Sequence, residues 1–311
     1  MLESLAMEYA FFEGDFVPIE SANINIKTNS FHYGTAIFEG LRAYWNDREK
    51  QLYILFAREH YDRLLRNAGA LFMELPYSVE DLVSITRELL IRNEVRQDVY
   101  IRPIVYFRDL ALTPKLIGYT PEIAIYTYNF GRYLDTSQGI RVKVSSWRRN
   151  DDNSIPSRWK VAGAYINSAL AKTEALMAGY DEAILLNSQG YVAEGSGENI
   201  FLIREGRAVT PAYNEHILEG ITRNAVITLL KNELLVNVEE RAVARSELYT
   251  AEEIFLTGTA AEVTPVVEVD NRRVGKGKIG EITAQLQDIY FRAVRGEIER
   301  YRSWLTPVYE K

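Results

Sequence analysis

The order of apolar and polar residues in the first half of the chain predicts short β-strands with helices between them. Leu41–Trp45 and Gln51–Phe56 are β-favouring runs on either side of a polar turn, which predicts a β-hairpin. Apolar residues recur at helical spacing over Arg58–Leu71 and again over Val79–Ile91. Two further runs are rich in β-branched and aromatic residues and are predicted to be strands: Val99–Phe107 and Glu122–Tyr128.

A proline interrupts the first of these two later strands. Pro103 has no N–H group and cannot donate a hydrogen bond to a neighbouring strand. The pattern therefore predicts that this strand lies at the edge of its sheet or carries a bulge at the proline.

The second half of the chain mixes strands and helices without the strict alternation of a doubly wound sheet. The predicted strands are Ile140–Trp147, Ala183–Asn187, Tyr191–Ala193, Asn199–Arg204 and Glu253–Leu256. The predicted helices are Ala164–Ala178, Thr222–Asn232 and one that begins near Ile279. We expect a mixed α/β (α+β) fold.

Length and a polar segment together predict two domains. A chain of 311 residues exceeds the usual size of one hydrophobic core, although a single large α/β domain remains possible. The polar stretch 134–140 contains Gly139 and joins two regions that differ in their pattern of apolar and polar residues. We predict a small α/β domain over residues 1–133, a linker over 134–140 and a larger α/β domain over 141–311.

Charge and composition exclude several classes of function. The chain carries 36 basic and 43 acidic residues with no dense basic run, so neither nucleic acid nor an acidic membrane surface is an expected partner. Charges interrupt every stretch that could span a membrane, and Met1–Glu13 lacks the pattern of a signal peptide. The absence of cysteine removes disulfides and thiolate chemistry. We expect a cytoplasmic protein.

Three short patterns carry little chemistry by themselves. The glycines of Gly275–Gly280 match a dinucleotide-binding pattern, but too little chain follows for a second parallel strand, which favours a turn over a nucleotide-dependent oxidoreductase. His32, His60 and His216 lack the spacing of a metal site, so no metal is expected. Ser196 lies in Gly195-Ser196-Gly197, which lacks the G-x-S-x-G pattern of a nucleophilic serine.

Lys160 stands alone between bulky and small residues, just before an apolar helix. Burial would favour the neutral amine, which is the form that reacts with carbonyl groups. Composition alone instead favours a lysine whose stem packs while its ammonium group reaches water.

The order of several segments resembles that of the class IV aminotransferases, and in particular the branched-chain subgroup. The similar segments are Ser154–Pro156 with Lys160, Tyr165–Ala175, Tyr191–Phe201, Leu218–Arg223, Thr257–Glu262, His32–Arg42, Arg58–His60 and Tyr100–Pro103. The resemblance extends from about Phe11 to the C-terminal tail. It implies a two-domain, fold-type-IV enzyme of the D-amino acid aminotransferase-like fold, with pyridoxal 5'-phosphate (PLP) as its cofactor between the domains.

The resemblance also implies roles for individual residues toward PLP. Lys160 forms the Schiff base with the cofactor aldehyde and then serves as the general acid and base. Glu194 pairs with the pyridine nitrogen, and Tyr165 donates to the ring oxygen. Thr222 is expected to cap a helix whose free N–H groups bind the phosphate. The other residues assigned to the cofactor are Arg58, Leu218, Ile221 and Thr259.

Substrate recognition follows from the same resemblance. Tyr100 and Arg102 lie two residues apart on one strand and therefore face the same side. Arg102 is expected to bind the distal carboxylate of glutamate or 2-oxoglutarate. The other expected pocket residues are Tyr33 and Tyr133 beside that carboxylate, Phe38 and Phe130 with Tyr100 around an apolar side chain, and Gly258, Thr259 and Ala260 at the α-carboxylate.

The implied reaction is transamination of leucine, isoleucine and valine with 2-oxoglutarate, carried out by a homodimer or an assembly of dimers. Trp159 before the lysine and Ala164 after it depart from the residues common in branched-chain members, and Phe130 replaces a frequent tryptophan, which leaves other class IV activities open. These are D-amino acid or (R)-amine transamination and aminodeoxychorismate cleavage. A catalytically silent PLP-binding protein is the alternative from a different class.

Overall fold

A computed structural model describes residues 8–129, 134 and 137–310. Its contacts divide the chain into two compact units. Unit 1 comprises the described residues of Met1–Phe130 together with Trp159–Gly163 and Ala293–Lys311, and unit 2 comprises those of Gly131–Arg158 and Ala164–Arg292. The division predicted from the sequence placed the two short segments of unit 1 in the second domain. Main-chain pairing joins both of them to unit 1 instead.

Strands and helices are numbered here along the whole chain. The helices are α1 (Asn29–Tyr33), α2 (Ala57–Ala70), α3 (Val79–Arg92), α4 (Tyr165–Met177), α5 (Ile221–Asn232) and α6 (Glu281–Val294). The strands are β1 (Tyr9–Phe12), β2 (Asp15–Pro18), β3 (Ala36–Phe38), β4 (Leu41–Asn46), β5 (Gln51–Leu55), β6 (Val99–Phe107), β7 (Pro121–Tyr128), β8 (Ile140–Arg148), β9 (Glu182–Leu186), β10 (Val192–Gly195), β11 (Asn199–Arg204), β12 (Arg207–Thr210), β13 (Val238–Glu240), β14 (Glu253–Gly258), β15 (Glu262–Val269), β16 (Arg272–Arg273) and β17 (Leu305–Pro307). Among the described residues, every helix is too short or too polar to cross a membrane.

Unit 1 is built on an antiparallel sheet in the order β17-β5-β4-β6-β7-β1-β2, with β3 also pairing β6. The predicted hairpin is confirmed, because β4 and β5 pair from Asn46 opposite Gln51. Helix α3 begins at a capping box, in which Ser78 accepts from the N–H of Asp81 and the Asp81 carboxylate accepts from the N–H of Ser78. The sheet and the two longer helices of this unit bury one apolar cluster that includes Ile37, Leu41, Ile54, Leu64, Leu82 and Ile101.

The prediction that the Pro103 strand lies at a sheet edge is wrong. Strand β6 pairs with β7 on one side and with both β3 and β4 on the other. Pro103 falls where β3 has ended and β4 has not begun, and its carbonyl accepts from the N–H of Glu39 at 2.9 Å. The interrupted partner strand therefore tolerates the missing proline donor in the middle of the sheet.

Unit 2 contains a mixed sheet in the order β10-β9-β8-β15-β14-β11-β12-β13, with β16 paired to β15. The pairs β8–β9, β15–β8 and β12–β13 are parallel, while the other pairs are antiparallel. The mixed α/β class expected from the sequence is thus confirmed. Gly275–Gly280 forms the turn between β16 and α6, and Gly275 and Gly277 have left-handed φ angles of 51° and 70°. Glycine adopts these angles at little cost.

Unit 2 also buries a small group of acidic side chains. Glu182 is fully buried, and one of its oxygens accepts from Lys172 Nζ at 2.6 Å. Glu198 is also buried, and it accepts from the N–H of Gly197 at 3.1 Å. Burial, followed by the negative charges of Glu182 and Glu194, raises the pKa of Glu198 from 4.5 to about 8. Glu198 is therefore a neutral acid at pH 7.

We expect the folded enzyme to lose stability as the pH rises, in part because of Glu198. Between pH 4.5 and about 8 the folded chain holds a proton that the unfolded chain has released, so folding becomes less favourable through this window. Glu198→Gln, which stays neutral at every pH, should flatten the fall in melting temperature between pH 5 and pH 9. Each kcal/mol recovered corresponds to about 2–4 °C in a chain of this size.

The matched control is Glu205→Gln, which removes an exposed carboxylate from the same unit. Its melting temperature should follow that of the parent at both pH values. An equal pH dependence in the parent and in Glu198→Gln would contradict the assignment of a neutral Glu198.

Candidate active site

Lys160 lies in a short segment of unit 1 that the main chain holds tightly. Its φ of 54° is left-handed, which is a strained conformation for a lysine. Its carbonyl accepts from the N–H of Phe38 at 3.4 Å, and Val161 forms an antiparallel bridge with Ile37. These contacts with β3 maintain the strained residue in one position.

A close approach of two glycines secures the same segment. The N–H of Gly163 donates to the carbonyl of Gly34 at 3.1 Å. A Cβ atom added to Gly34 would lie 2.7 Å from the Cα atom of Gly163, and the φ of Gly34 is 64°. Any larger residue at position 34 would push the segment of Lys160 away. Gly34 lies in the segment His32–Arg42 that resembles the class IV family. The sequence did not predict its close contact with Gly163.

The lysine and the predicted carboxylate-binding arginine meet at one aromatic ring. Lys160 Nζ lies 4.9 Å from the centroid of the Phe38 ring, and Arg102 Cζ lies 4.5 Å from it. Arg102 also donates to the Tyr100 hydroxyl at 3.0 Å and lies over the Tyr100 ring. The structure therefore brings together four of the residues assigned from the sequence. Arg102 Nε is buried without a hydrogen-bond partner, which suits a site for an anionic ligand.

Gly40 is needed for this arrangement, although the sequence did not single it out. A Cβ atom on Gly40 would lie 2.0 Å from the Tyr100 hydroxyl oxygen. The glycine therefore leaves the space that Tyr100 occupies.

The remaining predicted residues of unit 1 are less enclosed. Tyr33 ends α1 and is 38% exposed. Arg58 is in the first turn of α2, where its largely exposed side chain forms an ion pair with Glu80 of α3. Phe130 and Tyr133 lie outside the described residues.

In unit 2, Glu194 is a buried carboxylate surrounded by donors. Its Oε1 atom accepts from Arg149 Nε at 2.7 Å. Its Oε2 atom accepts from Asn199 Nδ2 at 3.1 Å and from the N–H of Leu218 at 3.0 Å. The guanidinium compensates the buried negative charge. The Arg149 guanidinium, the Asn199 amide and the Leu218 N–H all donate, and a carboxylate can accept from all of them.

Arg149 and Asn199 are site residues that the sequence analysis did not assign. Arg149 is buried just after β8, although its neighbours in sequence suggested an ordinary basic surface. Asn199 begins β11 and also donates to the carbonyl of Leu218 at 2.9 Å. Asn199 could have been found from the sequence, because it lies in the Tyr191–Phe201 segment that resembles the class IV family. No sequence pattern pointed to Arg149.

The loop after Leu218 leads into the N-terminus of α5. Gly220 is the N-cap, and a Cβ atom there would lie 1.9 Å from Asn199 Oδ1. The prediction that Thr222 caps this helix is wrong, because Thr222 is its second residue and is buried. The first turn, which includes Ile221, still presents main-chain N–H groups that have no partner within the helix. Such a turn is suited to binding phosphate.

A second group of donors lies at the hairpin between β14 and β15. Gly258 pairs with Glu262, so the turn consists of Thr259, Ala260 and Ala261. The strand predicted over Glu253–Leu256 thus continues for two more residues, to Gly258. Thr257 was not assigned from the sequence, yet its Oγ1 atom is buried without a hydrogen-bond partner. A buried hydroxyl of this kind is suited to a ligand oxygen.

The groups described in each unit are of the chemical types that PLP requires. Lys160 offers an amine for an aldehyde, and Glu194 offers a negative charge for a protonated ring nitrogen. The turn of α5 and the hydroxyl of Thr259 offer donors for a phosphate. Tyr165, the first residue of α4, is half-buried and has a hydroxyl suited to the ring oxygen.

Comparison with known proteins agrees with this chemistry. The family model "Amino-transferase class IV" matches residues 36–269. The probable branched-chain-amino-acid aminotransferase of Aquifex aeolicus (strain VF5) is 77% identical over 311 residues, which cover 100% of both chains.

Two crystal structures superpose closely on this chain. The branched-chain aminotransferase of Thermoproteus uzoniensis, solved with norvaline, has a TM-score of 0.93 and 41% identity, covering 97% of this chain and 100% of that one. The branched-chain amino acid aminotransferase of Thermobaculum terrenum, solved in its PLP-containing holo form, has a TM-score of 0.93 and 38% identity, covering 98% and 99%. The chain therefore belongs to the class IV aminotransferases, which are enzymes that depend on PLP.

Proposed function

We propose that this chain transfers the amino group of leucine, isoleucine or valine to 2-oxoglutarate, which produces branched 2-oxo acids and L-glutamate. The observation that carries the proposal is the Phe38 ring, which contacts both Lys160 and Arg102. An enzyme for these substrates needs an amine that moves a proton, together with a receptor for the second carboxylate of glutamate. The names of the similar proteins support the same substrates.

PLP supplies a carbonyl carbon that bonds to an amino group and a ring that withdraws electrons from the substrate α-carbon. We propose that Lys160 Nζ is the residue that binds the cofactor aldehyde between reactions. Once released, the Nζ amine would accept the proton from the substrate α-carbon and would deliver it to the cofactor carbon that carried the aldehyde, so that the amino group remains with the cofactor. The strained backbone and its contacts with β3 keep this amine in position.

In this proposal Glu194 accepts from the pyridine N–H, and its negative charge favours the protonated ring. Arg149 and Asn199 hold the carboxylate in a fixed orientation. Tyr165 donates to the ring oxygen.

We assign the phosphate of PLP to hydrogen-bond donors in two places of unit 2, the first turn of α5 and the hairpin between β14 and β15. Ile221 and Thr222 contribute the first turn of α5, and Leu218 orients the loop before it. Thr259 adds its hydroxyl, and we add Thr257 because its hydroxyl is buried without a partner. Arg58 completes the set if its ion pair with Glu80 opens.

Substrate choice rests on Arg102 and the rings beside it. We propose that Arg102 and Tyr33 bind the distal carboxylate of glutamate, and that Phe38 and Tyr100 contact a branched apolar side chain. The sequence assigns Phe130 and Tyr133 to the same pocket. Gly258, Thr259 and Ala260 present the turn that binds the α-carboxylate.

We further propose a homodimer that forms through an apolar face of unit 1. Phe31, Leu110 and Leu112 are between 57% and 67% exposed. Asn29 fixes the loop of these leucines against α1 by donating to the carbonyls of Ala111 and Thr113, both at 3.0 Å. A second copy of the chain would cover these three apolar side chains, whose exposure to water is unfavourable. We place the enzyme in the cytoplasm, which is compatible with its lack of cysteine.

Lys160→Ala should abolish both the visible absorbance of the cofactor–lysine link and transamination, because no other amine is assigned to that position. The absorbance spectrum and the half-reaction with L-leucine, L-glutamate, D-alanine and an (R)-arylamine measure this. Lys276→Ala, which removes an exposed lysine, should behave like the parent. If borohydride reduction of the parent labelled a different lysine, the assignment of Lys160 as the residue that binds the cofactor would be wrong.

Arg102→Ala should reduce kcat/KM for glutamate by about 10–100-fold, which is the effect expected for a lost hydrogen bond between charged groups. Leucine has no second carboxylate, so its kcat/KM should change by less than about 5-fold. Arg108→Ala is the control, because it removes a half-exposed arginine that follows the same strand. Equal losses with both substrates would assign Arg102 a structural role instead.

Leu112→Glu should convert the proposed dimer into monomers, because it places a charge in the apolar face. Sedimentation velocity distinguishes the two states by mass. Leu235→Glu introduces the same charge at a leucine of unit 2 that is 84% exposed, and it should leave the assembly unchanged. A parent protein that sediments as a monomer at micromolar concentration would contradict the dimer.

A further inference from the structure

Three charged or titratable side chains form a buried network in unit 1, which we call the Glu39 network. The Glu39 carboxylate accepts from Arg63 Nε at 2.6 Å and from a terminal nitrogen of Arg63 at 2.9 Å. Its Oε2 atom also lies 2.8 Å from His60 Nδ1. The three residues are at most 5% exposed. His60 and Arg63 are three residues apart on α2 and therefore share a face of that helix.

Stability alone does not account for this network. Burying two charges costs several kcal/mol for each ion, and apolar side chains of similar volume are often at least as stabilising. The apolar cluster of unit 1 surrounds this region with such side chains. The presence of ions here therefore suggests a role in the chemistry of the nearby site.

The network is joined directly to the segment of Lys160. Glu39 follows Phe38, whose N–H binds the Lys160 carbonyl and whose ring lies 4.9 Å from Lys160 Nζ. The N–H of Glu39 binds the carbonyl of Pro103, which adjoins Arg102 in β6. Because Glu39 adjoins Phe38 in the chain, holding the Glu39 carboxylate in place also holds Phe38, whose ring contacts the side chains of Lys160 and Arg102.

The charges within the network follow from its contacts. Burial raises the pKa of Glu39, but the charge of Arg63 and the hydrogen bonds from His60 and Arg63 outweigh it and hold the pKa far below the ordinary value. Burial lowers the pKa of His60, and the charges of Arg63 and Lys160 lower it further against the opposing effect of Glu39. His60 is therefore neutral, and its Nδ1 carries the proton because the ionised Glu39 can only accept.

These charges face one another from four parts of unit 1. Glu39 lies between β3 and β4, and His60 and Arg63 lie on α2. Arg102 of β6 lies over the Phe38 ring that Lys160, in its own short segment, also contacts, and none of the test variants changes its charge. One negative and one positive charge cancel within the network, so Lys160 has a buried neighbour with no net charge. Removing either charge would change this balance.

We propose that the Glu39 network positions Phe38 and Lys160 and that its zero net charge sets the pH at which the Lys160 nitrogen takes up a proton. Glu39, His60 and Arg63 are positioning residues in this proposal, because they act through Phe38 and through the local field. The inference rests on the proposed link between Lys160 and PLP.

The test is a pH titration of the visible absorbance of the holoenzyme, which reports protonation of the lysine nitrogen in the cofactor link. Glu39→Gln leaves Arg63 uncompensated, so the midpoint should move to lower pH. Arg63→Gln combined with His60→Asn removes the two groups that hold Glu39 ionised, so burial returns this carboxyl to its neutral form and the midpoint should stay close to that of the parent. The shift in Glu39→Gln should be about one pH unit, which is the effect of one charge at a distance of about 12 Å with an effective dielectric constant of about 20.

Two controls separate charge from structure. Glu39→Gln combined with Arg63→Gln restores zero net charge and should return the midpoint to within about 0.3 pH units of the parent. Glu59→Gln removes the same charge from an exposed position on α2 and should not move the midpoint. A merely structural role would disturb the midpoint in the double variants, which remove two partners, at least as much as in Glu39→Gln.

The outcomes are distinguishable from a failure of the proposed function. If borohydride labels Lys160 but the midpoints do not move, or all move the same way, the network proposal is overturned and the function stands. If the label is on another residue, both are overturned. Should one double variant fail to fold by its melting curve, Glu39→Gln and the other double variant still decide. The midpoint of Glu39→Gln must lie below that of the parent, and the midpoint of each double variant must stay close to that of the parent.

Discussion

The contact between the Lys160 segment and strand β3 is the constraint on which the reactive part of unit 1 depends. Lys160 has a left-handed φ angle that lysine rarely adopts, and one main-chain hydrogen bond and one β-bridge to the residues of β3 maintain it. The ring of Phe38 then contacts both cations. A strained backbone in a firmly paired segment is a common means of holding a reactive group in one orientation.

Unit 2 shows how one short segment holds two glutamates in different surroundings. Glu194 accepts hydrogen bonds from Arg149, Asn199 and the N–H of Leu218, and the guanidinium of Arg149 compensates its negative charge. Glu198 is equally buried, and this burial, followed by the negative charges of Glu182 and Glu194, raises its pKa. Because both side chains are buried, the donors and charges around each of them distinguish the two environments.

Most of the secondary structure could be predicted because its signals are local. The β4–β5 hairpin and helices α2, α3 and α5 lie within a few residues of their predicted bounds. Two errors arose from information that is not local. Pro103 lies inside its sheet because β3 and β4 leave a gap opposite it, and Thr222 does not cap α5 because the chain turns at Gly220. Neither the gap nor the turn is visible in the spacing of apolar residues.

The sequence by itself determined the class IV family, its dependence on PLP and the segments to which the chemistry is assigned, because these depend on residue types in a fixed order. Only the tertiary structure decided which side chains support them. Arg149 and Gly40 are distant in sequence from Glu194 and Tyr100, and His60 and Arg63 are distant from Glu39, so these roles exist only as contacts. Composition could not reveal these roles, because a buried arginine and a surface arginine are the same residue type. They differ only once the fold places a carboxylate beside one of them.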